Sequence, residues 1–256
     1  MIRLATFDAL LTVLRPRQPI HVQYAQVFAP FFGHLSPDAV KSAFKIALKE
    51  LQTSRPAYAE GPESWWAAVI SRTALGAGAR ESDVNEHIGT VVPKLLHRFS
   101  SREGYSLYDD SIPTLKTLHE MGVRTALVTN CDSRILLIVI LLGVLEVQAL
   151  DDLEALKFFD PVLASDLEGV EKPRREIFLR ACERAGVKPS EAVHVGDELE
   201  CDYHGATRAG LKALLLCRPS EDPMVDEDLA MRMDEKIKRI TSLDEVVHFV
   251  REHNVL

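Results

Sequence analysis

Four short segments carry side chains able to work together on one ligand, and they occur in a fixed order along the chain. The first is Phe7-Asp8-Ala9-Leu10-Leu11-Thr12, in which an acid follows an apolar run. An aspartate ending a strand often does no more than cap the next turn, so Asp8 taken alone carries little information. Three further segments change its weight. Leu127-Val128-Thr129-Asn130 ends an apolar run in a hydroxyl and an amide, Lys172-Pro173 opens a stretch of helical period, and Val193-His194-Val195-Gly196-Asp197 ends a third run in a second acid. A carboxylate, a hydroxyl, an amide and an ammonium group are the side chains of nucleophilic attack, hydrogen bonding and charge neutralisation.

Strands and helices in alternation would bring these groups together. Apolar, β-branched runs at 2–10, 123–130, 161–165, 192–197 and 211–217 read as short buried strands. Helical periodicity covers 110–121, a stretch beginning at Asp132, 174–185 and 202–209, with Gly122, Gly186 and Gly210 where helices should stop. The expected class is α/β, with a doubly wound, parallel, Rossmann-like sheet as its core. Ligands bind such sheets beyond the carboxyl ends of the strands, which selects Asp8, Thr129, Asn130 and Asp197.

The stretch 15–105 breaks the rhythm: it has several helical patterns and no convincing strand. It reads as an inserted helical domain, with linkers near 14–18 and 100–108, leaving 1–14 and 106–256 as the α/β core. Ser36-Pro37 and Pro62 mark helix starts inside it, and Trp65-Trp66 is expected to pack in its interior. The apolar run Ile135 to Leu145 is far shorter than the roughly 20 residues of a membrane span and reads as a buried helix.

The chain has 256 residues, 46% of them hydrophobic and 27% charged, which suits a globular protein with a substantial core. A formal charge of −8 argues against a nucleic-acid surface. Cys131, Cys182, Cys201 and Cys217 follow neither zinc nor disulfide spacing and are expected to be reduced thiols. The first residues enter a strand with no signal-peptide pattern, so no membrane association and a cytoplasmic location are expected. Nothing in the sequence assigns an oligomeric state.

The order of the four segments resembles the motifs of the haloacid dehalogenase-like superfamily over nearly the whole chain, with 15–105 in the place of its helical cap. A closer likeness, to one capped subgroup, lies in Ser64-Trp65-Trp66 and in His194-Val195-Gly196-Asp197 through Cys201-Asp202-Tyr203-His204-Gly205. The resemblance implies that Asp8 is a nucleophile forming an aspartyl phosphate, that Thr129 hydrogen-bonds the phosphoryl group beside Asn130, and that Lys172 neutralises its charge. It implies a magnesium site made by Asp8, Asp197 and the backbone carbonyl of Leu10, with Asp202 supporting the site and the lysine. The expected partner is a small phosphorylated molecule.

Leu10 also departs from the pattern. Most family phosphatases carry there an Asp that protonates the leaving group and helps activate water. Losing a general acid–base group typically costs about 10²–10⁴ in rate. Leu11 stands where glycine is usual, and Arg174-Arg175 follows Lys172-Pro173 where Asp-Pro is usual. Three readings follow. One is a phosphatase-like hydrolase, weak or confined to substrates with acidic leaving groups, and another is a silent phosphate-binding or regulatory protein. The third is a 2-haloacid dehalogenase, whose metal-free mechanism has no need for Gly196-Asp197.

Overall fold

The computed structural model describes residues 1–54, 62–130, 149–219 and 236–254. The chain divides into two compact units. One comprises Met1–Arg15, Leu107–Asn130 and Ala155–Leu256; the other comprises Pro16–Ser106 and, within Cys131–Glu154, the described residues 149–154. The second unit thus takes in 149–154, which the sequence reading had placed in the core. The expected helix from Asp132 and the apolar run 135–145 lie outside the described residues.

The α/β expectation is borne out. The first unit is built on strands β1 (Leu4–Phe7), β4 (Arg124–Thr129), β5 (Val162–Ala164), β6 (Ala192–Gly196), β7 (Lys212–Leu216) and β8 (Arg239–Ile240). They form one six-stranded sheet in the order β5-β4-β1-β6-β7-β8, with every pair parallel. Strands buried on both faces need continuous apolar sequence, and β1 and β6 are buried at every residue. Helices α5 (Ser111–Glu120), α7 (Arg175–Arg184), α8 (Gly205–Ala209) and α9 (Asp244–Asn254) cover the sheet. Ile177, Phe178, Ala181 and Ala206 pack with Leu4, Ala126, Val128 and Leu163 in one cluster. A four-residue α6 (Ser165–Glu168) follows β5. Gly122, Gly186 and Gly210 end their helices at φ of 74°, 64° and 90°, a region that favours glycine.

Two expectations need correction. The stretch before β4 does contain strands: β2 (Leu14–Pro16) and β3 (Tyr105–Leu107) pair with each other where the chain leaves and re-enters the first unit. The stretch 202–209 is not one helix, because a π-helical turn over Leu199–His204 precedes α8. The second unit holds α1 (Ile20–Phe32), α2 (Pro37–Ser54), α3 (Pro62–Gly76) and α4 (Glu81–Phe99). Tyr24, Phe28, Trp65, Trp66, Ile70, Leu95 and Phe99 are buried within it, so the Trp pair is core packing. No helix among the described residues is long and apolar enough to cross a membrane.

The loop after β1 is a tight turn. Leu11 donates its N–H to Leu14 O at 2.7 Å, while Val13 and Leu14 donate theirs to Ala9 O at 2.9 and 3.0 Å. This geometry forces Leu11 to φ 58°, a left-handed conformation that a leucine adopts only at a cost of about 1–2 kcal/mol. Its side chain is exposed and adds little packing in compensation. Leu11→Gly should therefore stabilise the protein by about 0.5–1 kcal/mol, once the larger unfolded-state entropy of glycine is deducted. Urea unfolding would show this as a higher midpoint at unchanged slope, and a lower midpoint would contradict the strain assignment.

Candidate active site

Parallel pairing brings the carboxyl ends of β1, β4 and β6 to one edge. Phe7 is in register with both Leu127 and Val195, so Asp8, Thr129 and Asp197 emerge side by side from three adjacent strands. Asp8 is pinned to this edge by its backbone N–H, which donates to Val195 O at 2.9 Å. Asp8 is 8% exposed, Thr129 is buried at the end of β4, and Asp197 is partly buried.

Lys172 enters from the segment before α7 and is 3% exposed. Its Nζ donates to Asp8 Oδ1 at 2.6 Å and to Asp202 Oδ1 at 2.7 Å. Asn130 fixes the backbone that carries this lysine. Its Oδ1 accepts the Lys172 N–H at 2.6 Å and its Nδ2 donates to Lys172 O at 2.8 Å. Only one orientation of the amide satisfies both bonds. Asn130 thus places Lys172 with both ends of its side chain, where the sequence reading put it beside the phosphoryl group.

Asp202 lies on the π-helical turn and is 1% exposed. Besides Lys172 it takes His194 Nε2 on Oδ1 at 3.0 Å and the Glu198 N–H on Oδ2 at 2.9 Å. A Cβ on residue 196 would lie 2.2 Å from Asp202 Cγ, so only glycine lets the acid come this close to β6. Glu200 pairs with Arg208 at the surface at 2.7 Å, and Arg174 and Arg175 are exposed. Arg218, beyond the expected motifs, braces the loop after Asp8. It pairs with both oxygens of Asp110 at 2.9 and 3.0 Å, donates to Thr12 O at 2.8 Å and stacks on the Tyr108 ring at 3.5 Å.

The electrostatics are unbalanced in favour of negative charge. Potential ligand oxygens of Asp8, Asp197 and Asp202 all lie within 4.8 Å of one another, and Lys172 is the cation that reaches into them. Burial, opposed by Lys172 and reinforced by Asp202, pushes Asp8 up to about 6. Burial and then repulsion from Asp8 push Asp197 up to about 7. Burial alone would also raise Asp202, but Lys172 and His194 hold it well below the usual carboxylate range. Lys172 shows the reverse balance: burial would lower it, yet Asp202 and Asp8 hold it above the usual lysine range.

Buried, mutually repelling carboxylates suit a small hard cation with oxygen ligands, and magnesium fits that donor set. Asp8 and Asp197 are the pair that would hold it, because both oxygens of Asp202 are already engaged. Leu10 lies in the turn two residues beyond Asp8, where its backbone carbonyl could add a third ligand. A cation must displace the protons that the raised Asp8 and Asp197 retain, so its binding should strengthen as pH rises. Without metal, ionising these two groups costs folding stability as pH climbs from about 4 through 7, since each is more acidic in the unfolded chain. Magnesium should accordingly raise the melting temperature by several degrees at pH 8 and by much less at pH 5.5. Equal shifts at the two pH values would count against Asp8 and Asp197 as the ligands.

The model of the haloacid dehalogenase-like hydrolase family matches residues 11–210. The match opens beyond Asp8 and Leu10, so the place of Asp8 rests on the geometry above. Haloacid dehalogenase-like hydrolase domain-containing protein 3 of Bos taurus is 30% identical over 233 residues, covering 89% of this chain and 87% of that protein. Glyceraldehyde 3-phosphate phosphatase of Methanopyrus kandleri is 39% identical over 143 residues, covering 55% of this chain and 56% of its own. Among solved structures, YfnB from Bacillus subtilis bound to magnesium superposes with a TM-score of 0.64 at 19% identity, covering 99% of both chains. That last likeness is one of fold.

Proposed function

The chain belongs to the haloacid dehalogenase-like hydrolases, and from that premise we propose that it is a magnesium-dependent, phosphatase-like hydrolase of small phosphorylated molecules. The observation that carries this reading is the contact of Lys172 Nζ with Asp8 Oδ1 at 2.6 Å, backed by Asp202 and set beside Asp197. It is a cation-braced carboxylate at the edge of a parallel sheet, with a second acid next to it.

In the first step a carboxylate oxygen of Asp8 attacks phosphorus and the bond from phosphorus to the leaving oxygen breaks, giving an aspartyl phosphate and an alkoxide or its more acidic equivalent. In the second, water attacks the phosphorus, Asp8 departs as carboxylate and inorganic phosphate is released. Lys172 restrains Asp8 and spreads positive charge over the transferring group, and Thr129 donates its hydroxyl to a phosphoryl oxygen. Magnesium, when bound by Asp8, Asp197 and the Leu10 carbonyl, supplies further charge stabilisation at the phosphoryl oxygens. The helical unit stands at the place in the chain where the family carries its cap. Leu10 moves no proton in either step, so turnover is slow or confined to acyl and aryl phosphates, whose leaving groups need no protonation.

One observation favours a second reading, a phosphate-binding protein without turnover: the apolar pair Leu10-Leu11, with Leu11 held at φ 58°, stands two and three residues after Asp8. The paired acids Asp8 and Asp197, suited to holding a cation, count against a dehalogenase, which would release halide from a 2-haloacid without magnesium. A panel of acyl, aryl and alkyl phosphates assayed for phosphate release, with magnesium and with chelator, separates the readings. Magnesium-dependent release from the acyl and aryl members is expected. No release from any member, in protein whose melting temperature magnesium and phosphate still raise, would leave the binding reading in its place.

A further inference from the structure

We infer that His194 is a positioning residue that acts through Asp202 to hold Lys172 on Asp8. The inference deepens the site proposed above and rests on that reading for its consequence in turnover, but its geometry stands apart from it. A continuous chain of hydrogen bonds runs through the sheet. Thr6 Oγ1 lies 2.7 Å from His194 Nδ1, His194 Nε2 lies 3.0 Å from Asp202 Oδ1, and Asp202 Oδ1 accepts Lys172 Nζ at 2.7 Å, which in turn reaches Asp8 Oδ1 at 2.6 Å. Thr6 and His194 are fully buried, and they stand directly opposite each other in the register of β1 and β6.

The direction of each bond follows from what each group can donate. Ionised Asp202 offers only lone pairs, so the proton at this junction sits on His194 Nε2. A neutral ring then has a bare Nδ1, and the Thr6 hydroxyl is its donor. The network thus selects one tautomer, and Phe178 holds the ring plane edge-on, with centroids 4.9 Å apart and planes at 78°. The consequence reaches Lys172. With Oδ2 fixed by the Glu198 N–H and Oδ1 by His194, the Asp202 carboxylate has no freedom to turn, and the lysine has one place to sit. A hydrogen bond to a charged group contributes enough that its loss should change a dependent equilibrium by about 10–100-fold.

The test compares wild type with His194→Leu, which removes the donor, and His194→Gln, which returns an N–H at similar depth with no titratable group. In wild type, ¹⁵N NMR should show His194 protonated on Nε2 alone and a slowly exchanging Lys172 ammonium signal. His194→Leu should shift or lose that signal, and with it weaken the binding of beryllium fluoride plus magnesium by about tenfold or more. It should also lower kcat on an aryl phosphate by a similar factor, with KM changed far less. His194→Gln should restore all three to within about threefold of wild type, since it keeps the donor. A wild-type ring protonated on Nδ1, or a Lys172 signal unchanged in His194→Leu, would overturn the inference. So would a Gln variant, folded as judged by its melting temperature, that is no better than Leu. If wild type binds no beryllium fluoride and turns over nothing, the phosphatase reading falls, while the tautomer and the Lys172 signal still decide the role of His194.

Discussion

Leu10→Asp should raise the rate of alkyl phosphate hydrolysis by about 10²–10⁴, the range that a positioned general acid–base group supplies. The substitution asks little of the fold. Leu10 is only partly buried and lies in a turn whose hydrogen bonds are made by the backbones of Ala9, Leu11, Val13 and Leu14. A new carboxyl there stands two residues from Asp8, whose own carboxyl already lies close to those of Asp197 and Asp202. Like charges raise a carboxyl pKa, and a raised pKa keeps the proton that a general acid must deliver near neutral pH. The gain should depend on the leaving group, being largest for alkyl esters and small for acyl phosphates. Initial rates across a series of leaving-group acidities, for wild type and variant, would show a steep dependence flattening in Leu10→Asp. If no member of the series accelerates, the proton carrier is not the limiting defect, and the binding reading becomes the stronger one.

Much of this site was legible in the sequence because one rule places it. A parallel sheet presents the residues at its strand ends on one edge, so recognising the buried strands was enough to select Asp8, Thr129 and Asp197. Lys172 was visible as an ammonium group opening a helical stretch, but its pairing with Asp8 was given only by the family resemblance, since nothing in its own segment says that it crosses there. Three features stayed hidden for distinct physical reasons. The pair β2 and β3 joins three-residue segments some ninety positions apart, too short for alternation to register and held by tertiary contact rather than propensity. The same holds for β8, with two residues at the sheet edge. His194 was named only as part of its motif, although a further signal was present. Thr6 and His194 are lone polar residues in two otherwise apolar central strands, and polar groups buried at that depth must find each other or another partner. Asn130 was selected for its place next to Thr129, and its amide bonds the N–H and the carbonyl of Lys172.

Asp8→Asn should abolish magnesium-dependent turnover, by at least about 10³-fold, because an amide cannot form the aspartyl phosphate on which both steps depend. The same change should not weaken the fold, and this separates a lost nucleophile from a damaged protein. Asn keeps an oxygen able to accept from Lys172 Nζ, and Asp202 still holds that lysine at 2.7 Å. The ionised form of Asp8 is disfavoured in the folded protein, since burial lifts its pKa from the usual 3.8 to about 6. Above pH 6 the neutral amide removes that penalty, and the metal-free variant should melt at or above the wild-type temperature, with a gain of up to about 1–3 kcal/mol at pH 8. The magnesium-induced rise in melting temperature should shrink in parallel, because one of the carboxylates is gone. Calorimetry at pH 8 with and without magnesium, beside phosphate release from an acyl phosphate, reads all three effects. Turnover that persists in Asp8→Asn would remove the aspartyl phosphate from the mechanism, and a large fall in metal-free stability would mean that the Asp8–Lys172 pair serves the fold before it serves any reaction.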